Sequence, residues 1–173
     1  MANLAAISPF KRPSIAQLPV SWYVAPAIYA LEQKRLFPQT SRYVGHELMV
    51  PNRGDYYALE WINNAKALVH NNHGIGQISN ICRHRQALML EGKGHTQHIV
   101  CPLHRWAYNL QGELLGAPHF PENPCLHLNK STLKNWNCLL FESQRDIAKD
   151  LSKLGCKQDF DFNGYMLDMG DGG

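Results

Sequence analysis

The run CRHRQALMLEGKGHTQHIVCPLH, residues 82–104, opens on Cys-x-His and closes on Cys-x-x-His, with sixteen residues between the two pairs. Thiolate and imidazole are the usual donors to zinc and to iron–sulfur clusters. Four such groups in two tight pairs, joined by a long connection, suit a centre clamped between two loop tips. The spacing discriminates further. Zinc fingers tend to pair like with like, Cys with Cys and His with His. Here each pair is mixed, Cys82 with His84 and Cys101 with His104.

The rest of the chain bounds what such a centre serves. Its 173 residues suffice for one domain with a sizeable core. A hydrophobic content of 45% with 18% charged residues reads as globular. The net charge of +3 is weak and no Lys/Arg run forms a stripe, which argues against a nucleic-acid partner. Dispersed positive charge still suits an acidic protein partner. No apolar run approaches the roughly 20 residues of a membrane span. The N-terminus lacks the ordered regions of a signal peptide, so a cytoplasmic location is expected, without a membrane partner. An odd count of five cysteines argues against a disulfide framework. Cys125, Cys138 and Cys156 read as ordinary small residues, buried or half-buried.

Residues 1–18 mix Ser, Pro, Lys and Arg and read as a disordered lead-in. Pro26 to Phe37 has helical spacing, with Tyr29, Leu31 and Leu36 toward a buried side and Pro38 as its stop. The chain then turns to β. Tyr43-Val44 and Leu48-Met49-Val50 are short apolar runs, followed by a turn cluster at 51–55 and a strand from Tyr56 to Trp61. Ala65–His70 and Ile75–Ile81 form a hairpin around Asn71-Asn72-His73-Gly74. Ile99-Val100 is a strand that enters Cys101. Trp106–Leu110 and Glu113–Leu115 flank a Gln111-Gly112 turn, and Trp136–Glu142 reads as one further strand. Asp146 to Leu154 is a helix capped by Gly155, and Phe160–Leu167 is a last strand. Gly92, Gly94 and Gly112 read as turn glycines. Trp61 and Trp136 read as core or sheet-face residues. His95 and His98 are expected in solvent, and His46, His70, His73, His119 and His127 at the surface or as caps.

Mixed pairing is what a Rieske 2Fe–2S centre needs: one iron takes two thiolates and the other two imidazoles. Each loop would then donate to both irons, cysteines inward and histidines outward. Neutral imidazoles carry less charge than thiolates, so the potential rises from about −400 mV in all-Cys ferredoxins to about −150 mV or above. The flanks extend the likeness. Cys82-Arg83-His84-Arg85 and Cys101-Pro102-Leu103-His104, with Trp106 and Tyr108 after them, resemble the Rieske domain of ring-hydroxylating-type non-haem iron oxygenases. So do Tyr43-Val44-Gly45-His46, Pro51–Tyr57, Gly112-Glu113-Leu114 with Ala117-Pro118, and Trp136–Phe141. The likeness covers about residues 22–167.

The resemblance implies a mostly β fold: a Rieske-type antiparallel β sandwich with an inserted cluster-binding subdomain at about 80–120 and short flanking helices. It implies a Rieske domain over 19–145, with 146–173 as a helix and strand leading toward a catalytic domain. It implies a 2Fe–2S cluster held by Cys82, His84, Cys101 and His104. Arg83, Arg85, Pro102, Arg105, Trp106 and Tyr108 would form the cluster's environment, with Trp106 and Tyr108 shielding it. Arg83 and Arg85 read equally as surface charge or as carboxylate binders. Electrons would come from a reductase or ferredoxin. They would pass through His104 to a mononuclear iron that activates dioxygen, in a catalytic domain or a neighbouring oxygenase subunit.

Two kinds of departure stand out. Leu103 replaces a frequent Tyr, and Arg105 replaces the usual Gly. Ala87 and Leu103 stand where respiratory Rieske proteins carry an extra cysteine pair, which argues against that type. No acidic residue followed by two close histidines offers a second iron site, so one-electron transfer without oxygenase turnover is expected of this chain alone. A stand-alone Rieske ferredoxin is the rival reading, and a zinc-bound structural module a third.

Overall fold

The computed structural model describes residues 18–153. The predicted Gly155 cap, the strand at Phe160–Leu167, Cys156 and nearly all of the N-terminal lead-in lie outside the described residues. The chain divides at residues 39/40 into two compact units. In the first, a short 3-10 turn at Val20–Tyr23 precedes helix α1 (Pro26–Arg35), and a second 3-10 turn covers Phe37–Gln39. Pro26 takes the first helical position, where its missing N–H costs nothing, and Lys34 and Arg35 face the negative helix end. The predicted buried side is not observed. Tyr29, Leu31 and Leu36 are exposed, and α1 buries no residue.

The second unit is built from three antiparallel sheets. Strands β1 (Arg42–His46), β10 (Leu133–Trp136) and β11 (Leu139–Glu142) form one, in the order β1-β11-β10. Strands β2 (Asp55–Ala58), β3 (Lys66–Asn71), β4 (Gly74–Ser79), β5 (Lys93–His95) and β9 (Lys130–Ser131) form the second, in the order β5-β2-β3-β4-β9. The third is β6 (Ile99–Val100), β7 (Ala107–Tyr108) and β8 (Leu114–Gly116).

The middle sheet is covered on both faces, and β3 shows why its apolar run does not alternate. Leu68 packs with Val44, Val50, Leu59 and Leu140 toward the first sheet. Ala67 and Val69 point the other way, to Ile78, Ile99, Trp106, Tyr108 and Leu114 of the second core. Successive strand residues face opposite sides, so consecutive buried residues require cover on both.

Several sequence readings are corrected here. Leu48-Met49-Val50 is not strand: Glu47–Met49 is a 3-10 turn capped by His46, whose Nδ1 accepts the Leu48 N–H at 3.0 Å. Strand β2 stops at Ala58, and Glu60–Ile62 is another 3-10 turn. Trp61 is 53% exposed, with the Arg42 guanidinium 5.8 Å from its ring centroid. The single strand expected over 136–142 is the end of a hairpin. Asn137 and Cys138 both take positive φ, 47° and 66°, as a two-residue hairpin turn demands. Gly94 lies in β5 rather than in a turn, and a Cβ there would stand 2.5 Å from the Tyr56 hydroxyl. Helix α2 (Ile147–Ser152) is capped by Asp146, which accepts the Lys149 N–H at 3.1 Å. Cys125 is exposed rather than buried.

Candidate metal centre

Both Cys/His pairs sit on hairpin tips with the same backbone plan. Ile81 bridges Leu88 across the first tip, and Val100 pairs with Ala107 across the second. The cysteine N–H then closes each loop, Cys82 onto the Ala87 carbonyl at 2.9 Å and Cys101 onto the Trp106 carbonyl at 2.8 Å. Each cysteine carbonyl accepts the N–H four residues on, from Gln86 at 3.0 Å and Arg105 at 3.1 Å. Those two residues reverse the chain in the left-handed region, with φ of 58° and 59°. A side chain in that conformation costs about 1 kcal/mol, which explains why glycine is common at such a turn. The loops differ in where the imidazole falls: His84 is two residues after its cysteine and His104 three.

The tips meet. The His84 and His104 ring centroids are 4.7 Å apart, with planes at 79°. Cys82 and Cys101 are each 1% exposed, free of disulfide, and close enough for Cys82 to feel the charge of Cys101. The Nδ1 atoms of His84 and His104 are buried and have no hydrogen-bond partner. Buried polar atoms are nearly always satisfied, so these two ring nitrogens, on the same tips as two buried thiols, have lone pairs that a metal could take. Two buried thiols and two buried imidazole nitrogens, one of each on either hairpin, are the donor set of a binuclear centre with two donors per metal. The donors thus fit a 2Fe–2S cluster.

The surroundings hold these groups in place. Trp106, fully buried, stacks on His84 at 4.9 Å with planes 6° apart, and its indole N–H has no partner. Phe120 meets both rings edge-on, at 5.8 Å from His84 and 5.2 Å from Trp106. Tyr108, also fully buried, brings its hydroxyl to 3.6 Å from Cys82 Sγ and accepts the Arg83 N–H at 3.2 Å. Burial, then the bond to Cys82, pushes the Tyr108 phenol well above its ordinary value, so it stays a donor. Burial also raises the Cys82 thiol. Burial, with the charges of His104 and Arg85, holds His84 below the ordinary imidazole value, in the neutral form a metal needs.

Of the other predicted environment residues, Arg83, Arg85, Pro102 and Arg105 are all exposed at the tips. Sequence reading missed two supports. Phe120 carries no periodic signal, since it comes from a loop. Asn80 is fully buried beneath the first tip. Its amide donates to the Asn64 carbonyl at 2.8 Å and the Leu90 carbonyl at 2.6 Å, and its oxygen accepts the Leu90 N–H at 2.8 Å. A polar residue two before Cys82, at the end of an apolar strand, was the available hint. His95, expected in solvent, is exposed, but it lies in β5 rather than in a loop and bonds Asp55 at 2.9 Å.

A small antiparallel β domain with one buried thiol and one buried imidazole nitrogen on each of two matched hairpins defines a protein of the Rieske iron–sulfur class. The chain belongs to that family: the profile of the Rieske [2Fe-2S] domain matches residues 21–137, and the cofactor of the family is the 2Fe–2S cluster. It is 58% identical over 156 residues to putrescine 2-hydroxylase of Ralstonia nicotianae, covering 90% of this chain and 43% of that one. It is 46% identical over 171 residues to putrescine 2-hydroxylase of Bordetella bronchiseptica, covering 90% of this chain and 40% of that one. The chain therefore spans less than half the length of these relatives. Among solved structures, naphthalene 1,2-dioxygenase from a Rhodococcus species superposes with a TM-score of 0.62 at 26% identity, over 72% of this chain and 31% of that one. The apo form of a quaternary ammonium Rieske monooxygenase shares the fold with a TM-score of 0.66 at 18% identity, over 78% of this chain and 42% of that one. Among the described residues no helix is long and apolar enough to cross a membrane.

Proposed function

We propose that Cys82 and Cys101 hold one iron of the cluster and His84 and His104 the other, through their Nδ1 atoms. The observation that carries this assignment is the pair of buried, partnerless Nδ1 atoms on the two hairpin tips that also bear two buried, disulfide-free thiols. When bound, the cluster takes up and releases one electron at a time. This chain's residues do the rest. The two hairpins fix the donors, Trp106 and Phe120 pack against the His84 ring, and Tyr108 donates a hydrogen bond to Cys82. The outer imidazole edges are left as the route by which electrons enter and leave.

We propose further that residues 19–145 serve as the Rieske part of an oxygenase, with 80–120 as the cluster-binding part and 146–173 leading to the catalytic part. A reductase or ferredoxin would supply electrons. His104 would pass them to a mononuclear iron in the catalytic part or in a neighbouring subunit. The named relatives are hydroxylases and oxygenases, which favours this reading over a stand-alone ferredoxin. The 58% identity to a putrescine 2-hydroxylase supports a small diamine as the substrate of the whole enzyme, whose proposed location is the cytoplasm.

The test begins with colour. Purified protein should be red-brown, carry two iron and two sulfide per chain, and give a Rieske-type EPR signal when reduced. Cys82→Ser should abolish that signal. Colourless protein with stoichiometric zinc, or an unaltered spectrum in the variant, would contradict the ligand assignment. Turnover of putrescine by the full-length oxygenase tests the substrate.

A further inference from the structure

Edge strand β5 continues through Thr96, Gln97 and His98 into β6, and an open cleft of about 420 Å³ lies along that connection. Its volume falls in the range of about 300–1,000 Å³ typical of small-molecule sites. Arg53, His95 and His98 all line it, and no Asp or Glu does among the described residues. The cleft is held in shape by its own hydrogen bonds. The Gly54 N–H donates to the His70 carbonyl at 2.8 Å, and the Gly54 carbonyl accepts the Thr96 N–H at 2.9 Å. Thr96 Oγ1 donates to the His98 carbonyl at 2.7 Å, which fixes the turn that carries the second imidazole. Gly54 has φ of 98°, and a Cβ there would stand 2.4 Å from the His95 ring, so the ring lies directly over this glycine. His95 Nδ1 bonds Asp55 at 2.9 Å, which orients the ring and leaves Nε2 as its remaining nitrogen. The other Asp55 oxygen accepts the Asn52 N–H at 2.8 Å, so that carboxylate is already engaged.

We propose that this cleft is a binding site for a phosphoryl group, free or carried on a small molecule. The inference is independent of the electron-transfer reading above. A planar guanidinium fork matches phosphate oxygens, and Arg53 supplies one. A protonated imidazole donates from both nitrogens, so His95 can hold Asp55 with one and the ligand with the other. The His98 ring and the Gln97 amide add donors from the connection. A metal ion is disfavoured, because the Arg53 charge repels it. An apolar ligand is disfavoured, because it would leave these donors unpaired. Arg53 and Gly54 precede β2, whereas residues 96–98 lead through β6 to Cys101. A bound phosphoryl group therefore ties the middle sheet to the segment that enters the second Cys/His hairpin.

The experiment is isothermal titration calorimetry of the cluster-loaded chain with inorganic phosphate and, separately, with glycerol 3-phosphate, in chloride buffer at fixed ionic strength. A saturable, single-site isotherm with a dissociation constant of about 1 mM or tighter is expected for at least one of them. Tighter binding of glycerol 3-phosphate supports a phosphorylated small molecule as the ligand, and equal or tighter binding of inorganic phosphate supports the free anion. Arg53→Gln should weaken binding about tenfold, the loss of a charge-assisted hydrogen bond. His95→Gln should weaken it about fivefold. Arg53→Lys, which keeps the charge and loses the fork, should fall between wild type and Arg53→Gln. Arg53 and His95 are exposed, so their variants should keep the wild-type visible spectrum and melting temperature. Lys134→Gln removes an exposed cation from β10, outside the cleft, and should bind as wild type does. The proposal is overturned if neither compound gives saturable heat. It is overturned equally if Arg53→Gln and His95→Gln both keep the wild-type affinity, or if Lys134→Gln weakens binding as much as they do, which would reduce the effect to net charge.

Discussion

Replacing Tyr108 by Phe removes one oxygen from a fully buried ring and leaves the packing volume intact. Two hydrogen bonds go with it. One is accepted from the Arg83 N–H at 3.2 Å, and its loss costs about 1 kcal/mol of stability. The other is donated toward Cys82 Sγ at 3.6 Å, and it bears on the redox potential. A hydrogen bond to a charged acceptor is worth about 1.5–3 kcal/mol, and this one is long, so the lower end applies. Only the part that strengthens as the ligand sulfur gains electron density on reduction shifts the potential. Taking that part as about 1 kcal/mol, and about 59 mV for each tenfold change in a one-electron equilibrium, Tyr108→Phe should lower the midpoint by about 40 mV. The assay is an EPR-monitored redox titration of the loaded wild-type and variant proteins, with a thermal melt to show that both are folded. A midpoint unchanged within about 10 mV, or one that rises, would refute the assignment of Tyr108 as a donor to the cluster's thiolate.

Asn80→Ala should remove three hydrogen bonds and strand the Leu90 N–H and C=O beneath the first tip. The expected cost is about 3 kcal/mol, read as a fall in melting temperature of about 10 °C and faster loss of the visible spectrum on warming. Glu142 gives a pH dependence with a definite sign. Burial lifts its carboxyl, but the bond and charge of Lys66 outweigh that and hold it below its ordinary value of 4.5. A depressed folded pKa contributes stability that is present above the unfolded value and is lost as pH falls through the folded one. Thermal melts from pH 5 down to about 3 should therefore show Glu142→Gln losing less stability on acidification than wild type. An identical decline in both would remove the Lys66–Glu142 link from the acid response.

The candidate donors were legible because metal chemistry constrains residue type and short-range spacing together. Cys82, His84, Cys101 and His104 could be read from four positions and two intervals. The equivalence of the two hairpins was not legible. It depends on Gln86 and Arg105 adopting a conformation that their side chains disfavour, and only the closing hydrogen bonds of Cys82 and Cys101 show it. The hairpin around Asn71–Gly74 was readable from its turn residues, whereas the turn at Asn137-Cys138 was hidden because cysteine seldom takes positive φ. Strands β5 and β9 are three and two residues long and exist through their partners β2 and β4, so no local pattern announces them. Helix α1 misled in the opposite direction. Its apolar residues have helical spacing, but Tyr29, Leu31 and Leu36 remain exposed, so periodicity reported the element and not its burial. Asn80 escaped notice because a buried side-chain amide is defined by the carbonyls it reaches, which come from Asn64 and Leu90.

The central claim is that one iron takes the two thiols and the other the two imidazoles. Mössbauer spectroscopy of the iron-loaded protein tests it most directly. Two equal populations of iron with distinct isomer shifts are predicted, and on reduction the added electron should appear on the site with nitrogen ligands, held by His84 and His104. Two equivalent sulfur-ligated irons, or a single mononuclear species, would contradict the account.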